Sequence, residues 1–211
     1  MSEKHKKIPD TWPGTFRYKN IVYVRTTRCA SNYIKRILIQ LNFKNIKFNN
    51  IRDTDKVFTF IIDPFERRVK GLTLLLDELK AYSLIKNPQF KKFIKSTSVA
   101  GIDTLPYYLQ YKNILNQTLF LPIHKKYQIT DLLKKYFYQH CPELLQIKFN
   151  ENVWRNKANK IREYQYRHIK TILKSNKSVK NTLDLDNKIW KEAVSKTNKD
   201  VNSYLILKYK K

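Results

Sequence analysis

Glycine is scarce in this chain, with only 3 residues in 211. The glycine-rich loops that cradle dinucleotides and nucleotides in many proteins are therefore excluded. Cysteine stops at 2, Cys29 and Cys141. Two thiols so far apart in sequence make neither a disulfide framework nor a zinc pattern, and a reducing compartment fits them. Acidic residues number 17 against 43 Lys and Arg, for a net charge of +26. Long apolar runs are missing too: none approaches the roughly 20 residues of a membrane-spanning helix. The first ten residues, Met1 to Asp10, are polar and carry no apolar targeting run. The expectation is a cytoplasmic protein without signal peptide or transmembrane segment. Internal repeats, a Pro-rich linker and a sustained heptad pattern are also lacking.

What is present is enough for a folded domain. Apolar residues make up 42% of the chain, with 14 Tyr and 11 Phe, so a core can form and wholesale disorder is excluded. The length fits one domain, or one domain with a helical appendage. Residues 1–19 read as an N-terminal arm and 20–211 as a single α/β domain with a helical C-terminal part. The excess of positive charge favours polyanionic partners or anionic ligands. AT-rich coding also enriches Lys, Asn, Ile and Tyr, so charge alone assigns no partner.

Hydrophobic period orders the chain. Ile21 to Val24 is a short apolar strand. From Asn32 the period changes, and Tyr33, Ile34, Ile37, Leu38 and Leu41 share one helical face. Residues 43–50 suggest a short strand or extended arm. Val57 to Ile62 is an unbroken β-prone run of the kind that fills a central parallel strand. Asp63-Pro64 ends it: Asp caps the new helix and Pro suits its first turn. Val69, Leu72, Leu75 or Leu76, and Leu79 then form a buried stripe, with the helix ending near Tyr82 or Ser83. Phe90, Phe93 and Ile94 predict a short helix, and Leu119 to Ile123 a strand. Thr130 is positioned to cap a helix running to about His140, with Asp131 in its first turn. Leu145 to Phe149 reads as a further strand. Residues 148–180 hold 10 Lys or Arg and only 2 Glu, a basic and partly helical face. Ile189, Ala193, Val194, Val201 and Leu205 recur at helical spacing in a tail expected to fold back on the domain.

Two strand-to-helix corners stand out, Ile21 to Asn32 and Val57 to Lys70. Parallel strands followed by helices place their loops at the carboxyl ends of the strands, where ligands bind. Helix starts offer free N–H groups and a positive field suited to phosphate. The first loop adds Arg25 and Arg28 with Thr26, Thr27 and Ser31. Arg forks onto phosphate oxygens and hydroxyls donate at short range. At the second corner Arg67 and Lys70 lie about one turn apart, with Asp63 as cap. Asp63 and Glu66 can equally pair with those cations to give an ordinary charged surface.

Taken together the corners resemble the nucleotide-binding elements of the sulfotransferase superfamily, especially the Golgi-type carbohydrate sulfotransferases and their microbial and viral relatives. That family's second motif, Arg-Asp-Pro-x-Glu-Arg-x-x-Ser, is matched here by Asp63, Pro64, Glu66 and Arg67. Ile62 stands in place of the leading Arg and Lys70 in place of the closing Ser. The first motif, Pro-Lys-Thr-Gly-x-Thr-Ser, is matched at Thr27 and Ser31. Arg25 takes the place of the Pro, Thr26 of the Lys, Arg28 of the Gly and Ala30 of the Thr. His124 to Gln128 resembles a His-x-x-Pro-Gln block, and Ile147 to Val153 a Phe-x-x-Glu-Asn-Leu strand exit. The resemblance covers roughly residues 20–205.

It implies a P-loop-like α/β fold, with a central parallel sheet flanked by helices. It also implies transfer of a sulfuryl group from 3′-phosphoadenosine 5′-phosphosulfate to a hydroxyl or amine of a glycan or small acceptor, without a metal. The product would be adenosine 3′,5′-bisphosphate. The donor would be held by Arg25, Thr26, Thr27, Arg28, Cys29, Ala30, Ser31 and Asn32, and its 3′-phosphate by Asp63, Arg67 and Lys70. Arg25 and Arg28 would offset charge developing on the bridging oxygen, with His124 as general base and Glu151 as the second candidate. Besides a structural or interaction protein without chemistry, two alternatives remain open. One is an inactive relative that binds nucleotide or another anion. The other is a basic nucleic-acid-binding protein, in which Trp154, Tyr164 and Tyr166 would stack on bases.

Overall fold

The computed structural model describes residues 14–26, 29–96, 117–123, 128–148, 150, 160–174, 183–184 and 186–196. The fold is mixed α/β, with a central sheet flanked by helices. Five strands are present: β1 (Thr15–Tyr18), β2 (Ile21–Val24), β3 (Lys44–Ile46), β4 (Lys56–Ile61) and β5 (Thr118–Pro122). Their spatial order is β3-β1-β2-β4-β5. β2 and β4 run parallel, with Val22 opposite Val57, and β4 and β5 run parallel, with Ile61 opposite Pro122. β1 is antiparallel to both β2 and β3. The expected parallel sheet is thus confined to three strands, with an antiparallel pair added at one edge.

β1 lies within residues 1–19, read above as an arm. Its residues Phe16 and Tyr18 alternate with Thr15 and Arg17, so too few apolar residues fall together to mark a strand. Pairing on both sides supplies what the pattern lacks. Gly14 enters this strand at φ +79, and its carbonyl accepts the Arg25 N–H at 3.0 Å. A left-handed residue is required there, which glycine adopts without strain.

The helices are α1 (Ser31–Gln40), α2 (Pro64–Glu78), α3 (Pro88–Ser96), α4 (Ile129–His140), α5 (Lys160–Lys174) and α6, described at residues 184 and 186–196. One face of the sheet buries Tyr23, Phe58 and Phe60 against Ile34, Ile37 and Leu38 of α1 and Leu133, Tyr136 and Phe137 of α4. The opposite face buries Val22, Val24 and Val57 with Phe48, and Ile189 of α6 packs there. A second core, wholly helical, joins Val69, Leu72 and Leu76 of α2 with Ile94 of α3, Ile169 and Leu173 of α5, and Leu183.

Three boundaries differ from expectation. Leu145 to Phe149 is not a strand in its described part: a 3-10 turn at Pro142–Gln146 buries Leu144 in the main core. Proline at the start of that turn cannot donate to a ladder. α4 is entered through Gln128 without a side-chain cap, and Thr130 lies buried in the first turn, with Asp131 beside it as expected. α2 stops at Glu78 rather than near Tyr82, and a 3-10 turn at Tyr82–Lys86 follows.

Candidate anion-binding site

Because β2, β4 and β5 are neighbours and parallel, their carboxyl ends open on the same edge of the sheet. The Arg25 loop follows β2, and the Asp63 corner follows β4. Ile123, which follows β5 and precedes His124, donates its N–H to the Ile61 carbonyl at 2.7 Å. The topology therefore starts all three candidate loops side by side. Thr27, Arg28, His124 and Glu151 themselves lie outside the described residues, as does Trp154.

In the first loop the chain leaves β2 at Arg25, whose guanidinium is held over the first turn of α1. Nε donates to Ser31 Oγ at 3.0 Å and Nη2 to Asn32 Oδ1 at 3.2 Å. Thr26 turns into the sheet, fully buried, where its hydroxyl and that of Thr59 share a hydrogen bond of 2.6 Å. Ala30 sits in the left-handed region at φ 55, where the family motif places a threonine. It precedes α1 with no side-chain cap, and no acid falls in that helix's first turn. Ser31 is buried beneath Arg25. The first turn of α1 therefore supplies no carboxylate of its own to its positive end, beside a cation.

The second helix start is arranged differently. Asp63 caps α2, its Oδ1 accepting the Glu66 N–H at 2.9 Å, with Pro64 in the first turn. Both expectations for this corner hold. An anion beside α2 must nevertheless contend with Asp63 and Glu66, whereas α1 carries neither. Of the two helix starts, the field favours α1. Ile62, standing where the motif has Arg, is a core residue packed with Cys29.

Cys29 joins the two corners. It is buried, and burial pushes its thiol up to about 11, against the fields of Arg67 and Lys70 and a hydrogen bond from the Ile62 backbone. The sulfur remains a neutral thiol at neutral pH, suited to lining a wall rather than to nucleophilic attack. Arg67, Lys70 and Asp186 all act on it electrostatically.

Arg67 is fully buried. Its Nη2 donates to Asp186 Oδ2, while its Nε and Nη1 have no hydrogen-bond partner among the described residues. A buried guanidinium with open donors costs about 1–3 kcal/mol or more for each group left unmade. Those donors mark a place where oxygen atoms would be welcome. Lys70, one turn along, is exposed. Glu66 faces away, toward α5, accepting from Tyr166 Oη and Lys170 Nζ. Sequence alone grouped Arg25, Cys29, Ser31, Asn32, Arg67 and Lys70 at this edge; the structure joins Arg25 to Ser31 and Asn32, and sets Cys29 within the fields of Arg67 and Lys70. It gives Asp63 to capping and the Thr26 hydroxyl to Thr59.

Three contributors were missed. Thr59 and Gly14 lie outside both motifs. Asp186 is 119 residues from Arg67, and no local pattern announces it. Of the aromatics read as base-stacking candidates, Tyr166 is held by Glu66, and Tyr164 is exposed and stacked on His168 at 6.1 Å. Among the described residues no group of three or more His, Cys, Asp or Glu is gathered as for a metal, and no helix is long and apolar enough to cross a membrane.

Comparison of the chain with family models, with curated proteins and with solved structures finds no match.

Proposed function

We propose that the protein is a sulfotransferase-like nucleotide-binding protein of P-loop-like architecture. It takes 3′-phosphoadenosine 5′-phosphosulfate as donor and passes its sulfuryl group to a hydroxyl or amine of a glycan or small acceptor. The observation that carries this reading is Arg67: a buried cation with two open nitrogens, at the edge where two parallel strands end. The uncapped α1 start under Arg25 supports it independently.

In this reading Arg67 and Lys70 hold the 3′-phosphate. Arg25 and the N–H groups of Ser31 and Asn32 face the 5′-phosphosulfate, assisted by Arg28. Ser31 and Asn32 keep Arg25 from swinging into solvent, so its charge is positioned before the ligand arrives. His124, one residue beyond the Ile123–Ile61 hydrogen bond, takes the acceptor proton. The S–O bond to the leaving phosphate breaks as a bond from sulfur to the acceptor oxygen or nitrogen forms.

A second reading rests on one observation. The side chain at 26 is a buried hydroxyl bonded to Thr59, where the family motif puts a lysine charge. Binding of the nucleotide without sulfuryl transfer fits that exchange. Calorimetry with adenosine 3′,5′-bisphosphate tests what both readings share: the wild-type chain is expected to bind in the micromolar range, about −8 kcal/mol. Arg67→Lys, which keeps the charge but loses the planar fork, is expected to weaken binding about tenfold. Absence of heat and of thermal shift at millimolar ligand overturns the nucleotide reading. Labelled sulfate reaching an acceptor separates the enzyme from the binder.

A further inference from the structure

A guanidinium carries its N–H donors in one plane, arranged as two forks: Nε with Nη2, and Nη1 with Nη2. Each of the two Nη2 hydrogens belongs to a different fork. Arg67 gives one of them to Asp186 Oδ2, while its Nε and Nη1 meet no acceptor among the described residues. One fork is thus left whole with the ion pair undisturbed. An oxyanion can take that fork in bidentate fashion while Asp186 keeps its hold.

The carboxylates nearest in sequence are engaged elsewhere. Asp63 accepts the Glu66 N–H at the start of α2. Glu66 turns to α5, where it accepts from Tyr166 and Lys170. The countercharge for Arg67 comes instead from Asp186, 119 residues on. Both members of the pair are buried, at 0% and 4% exposure. A buried cation without a counter-ion is strongly destabilising, so the pair lets a guanidinium stand in the interior before any ligand arrives. It also pins the end of a long side chain that would otherwise sample many rotamers. Such an anchor lowers the ordering cost left for a ligand to meet.

We infer that Asp186 is a positioning residue for Arg67: it fixes the guanidinium through Nη2, leaves the other fork for a phosphate, and stays in place when the phosphate binds. This rests on the anion-binding reading of the Arg67 corner and adds the residue that aims it. Asp186 acts through Arg67 and not on the ligand. The bound state is a chain of carboxylate, guanidinium and phosphate whose buried hydrogen bonds polarise one another. The carboxylate charge also repels a nearby phosphate. Charge and hydrogen bond therefore act in opposite directions on affinity, and two variants separate them.

Asp186→Asn removes the charge and keeps an oxygen to accept from Nη2. Asp186→Leu removes both and keeps a branched shape. The difference between the two isolates the hydrogen bond. In calorimetry of the full-length chain with adenosine 3′,5′-bisphosphate, Asp186→Asn is expected to bind at least as tightly as wild type. Asp186→Leu is expected to bind about tenfold more weakly than Asp186→Asn, as for loss of a hydrogen bond to a charged group. Equal affinities of the two variants overturn the positioning role and leave the nucleotide reading in place. Should Asp186→Leu fail to fold, a crystal structure of wild type with the nucleotide bound decides. Two phosphate oxygens on one Arg67 fork, with Asp186 still on Nη2, is the expected result. Phosphate bound with Asp186 displaced, or bound away from Arg67, overturns it. Inorganic pyrophosphate is the second probe. If it sits on the fork beside Asp186 where the nucleotide does not bind, the positioning role stands and the nucleotide reading falls. If neither probe binds wild type, both fall.

Discussion

At the scale of single residues, the two corners of the sheet use similar side chains for different ends. Asp63 and Arg67 both belong to the motif that drew attention to β4 and α2, yet one caps a helix and the other is a buried cation. Their separation yields a direct test. Asp63→Ala removes a side-chain cap and is expected to cost about 1 kcal/mol of stability, with Asp63→Asn retaining most of it. Nucleotide affinity should be nearly unchanged in both variants, as measured by denaturant titration beside calorimetry. A loss of binding parallel to the loss of stability would return Asp63 to the ligand. The sequence made both residue types visible, because cap, proline and basic residues fall in fixed order. It could not show that Arg67 is buried, since burial depends on Asp186 and α6 arriving from 119 residues away. Thr26 was opaque for a related reason: its hydroxyl is committed to Thr59 on the neighbouring strand, a contact set by sheet register rather than by spacing.

At the scale of elements, strands and helices with strong period were legible, and their ends were not. β4, α1 and α3 lie where their apolar patterns predict. The end of α2 was missed because its stop signal has no glycine. Lys80 adopts φ 49, its N–H donates to the Asp77 carbonyl at 3.2 Å, and the Ala81 N–H donates to that of Leu76 at 3.0 Å. This is a Schellman ending with lysine in the left-handed position. α1 ends the same way through Asn42, at φ 61. A chain with 3 glycines must place other residues there, at about 1–2 kcal/mol for a left-handed L-residue. Lys80→Gly is therefore expected to raise stability by about 1 kcal/mol, read as a higher denaturation midpoint at unchanged m-value.

The contact between α2 and α5 is electrostatic as well as apolar. Glu66 is held below the usual carboxylate range: its burial opposes ionisation, but hydrogen bonds from Lys170 and Tyr166 outweigh it. Lys170 is raised by the same carboxylate. A depressed carboxylate contributes stability that is complete above its unfolded value, about 4.3, and is lost as pH falls through its lower folded value. The raised lysine contributes in full below about 10.4 and is lost above. The stability difference between wild type and Glu66→Gln should accordingly be constant from about pH 5 to 10 and shrink on either side. A difference that persists undiminished at pH 2 would show that packing, not the ionised contact, joins these helices.

At the scale of the whole molecule, a net charge of +26 surrounds the proposed site for one small anion, and the two make different demands on salt. Every anion feels the general field, which is screened within about 10 Å at 0.1 M salt. A ligand that forks onto Arg67 and rests on the start of α1 also makes short contacts inside the protein, which salt screens far less. Raising salt from 50 to 200 mM should therefore weaken adenosine 3′,5′-bisphosphate by a factor of only a few. A single-stranded or duplex nucleic acid that neutralised 6–10 phosphates would lose about 10³–10⁵ in affinity over the same interval. Isothermal titrations of both ligands at the two salt concentrations would show which partner the charge serves. Tight oligonucleotide binding with the steep slope, beside nucleotide binding that vanishes at 200 mM, would move the protein into the nucleic-acid class and leave Arg67 a structural cation.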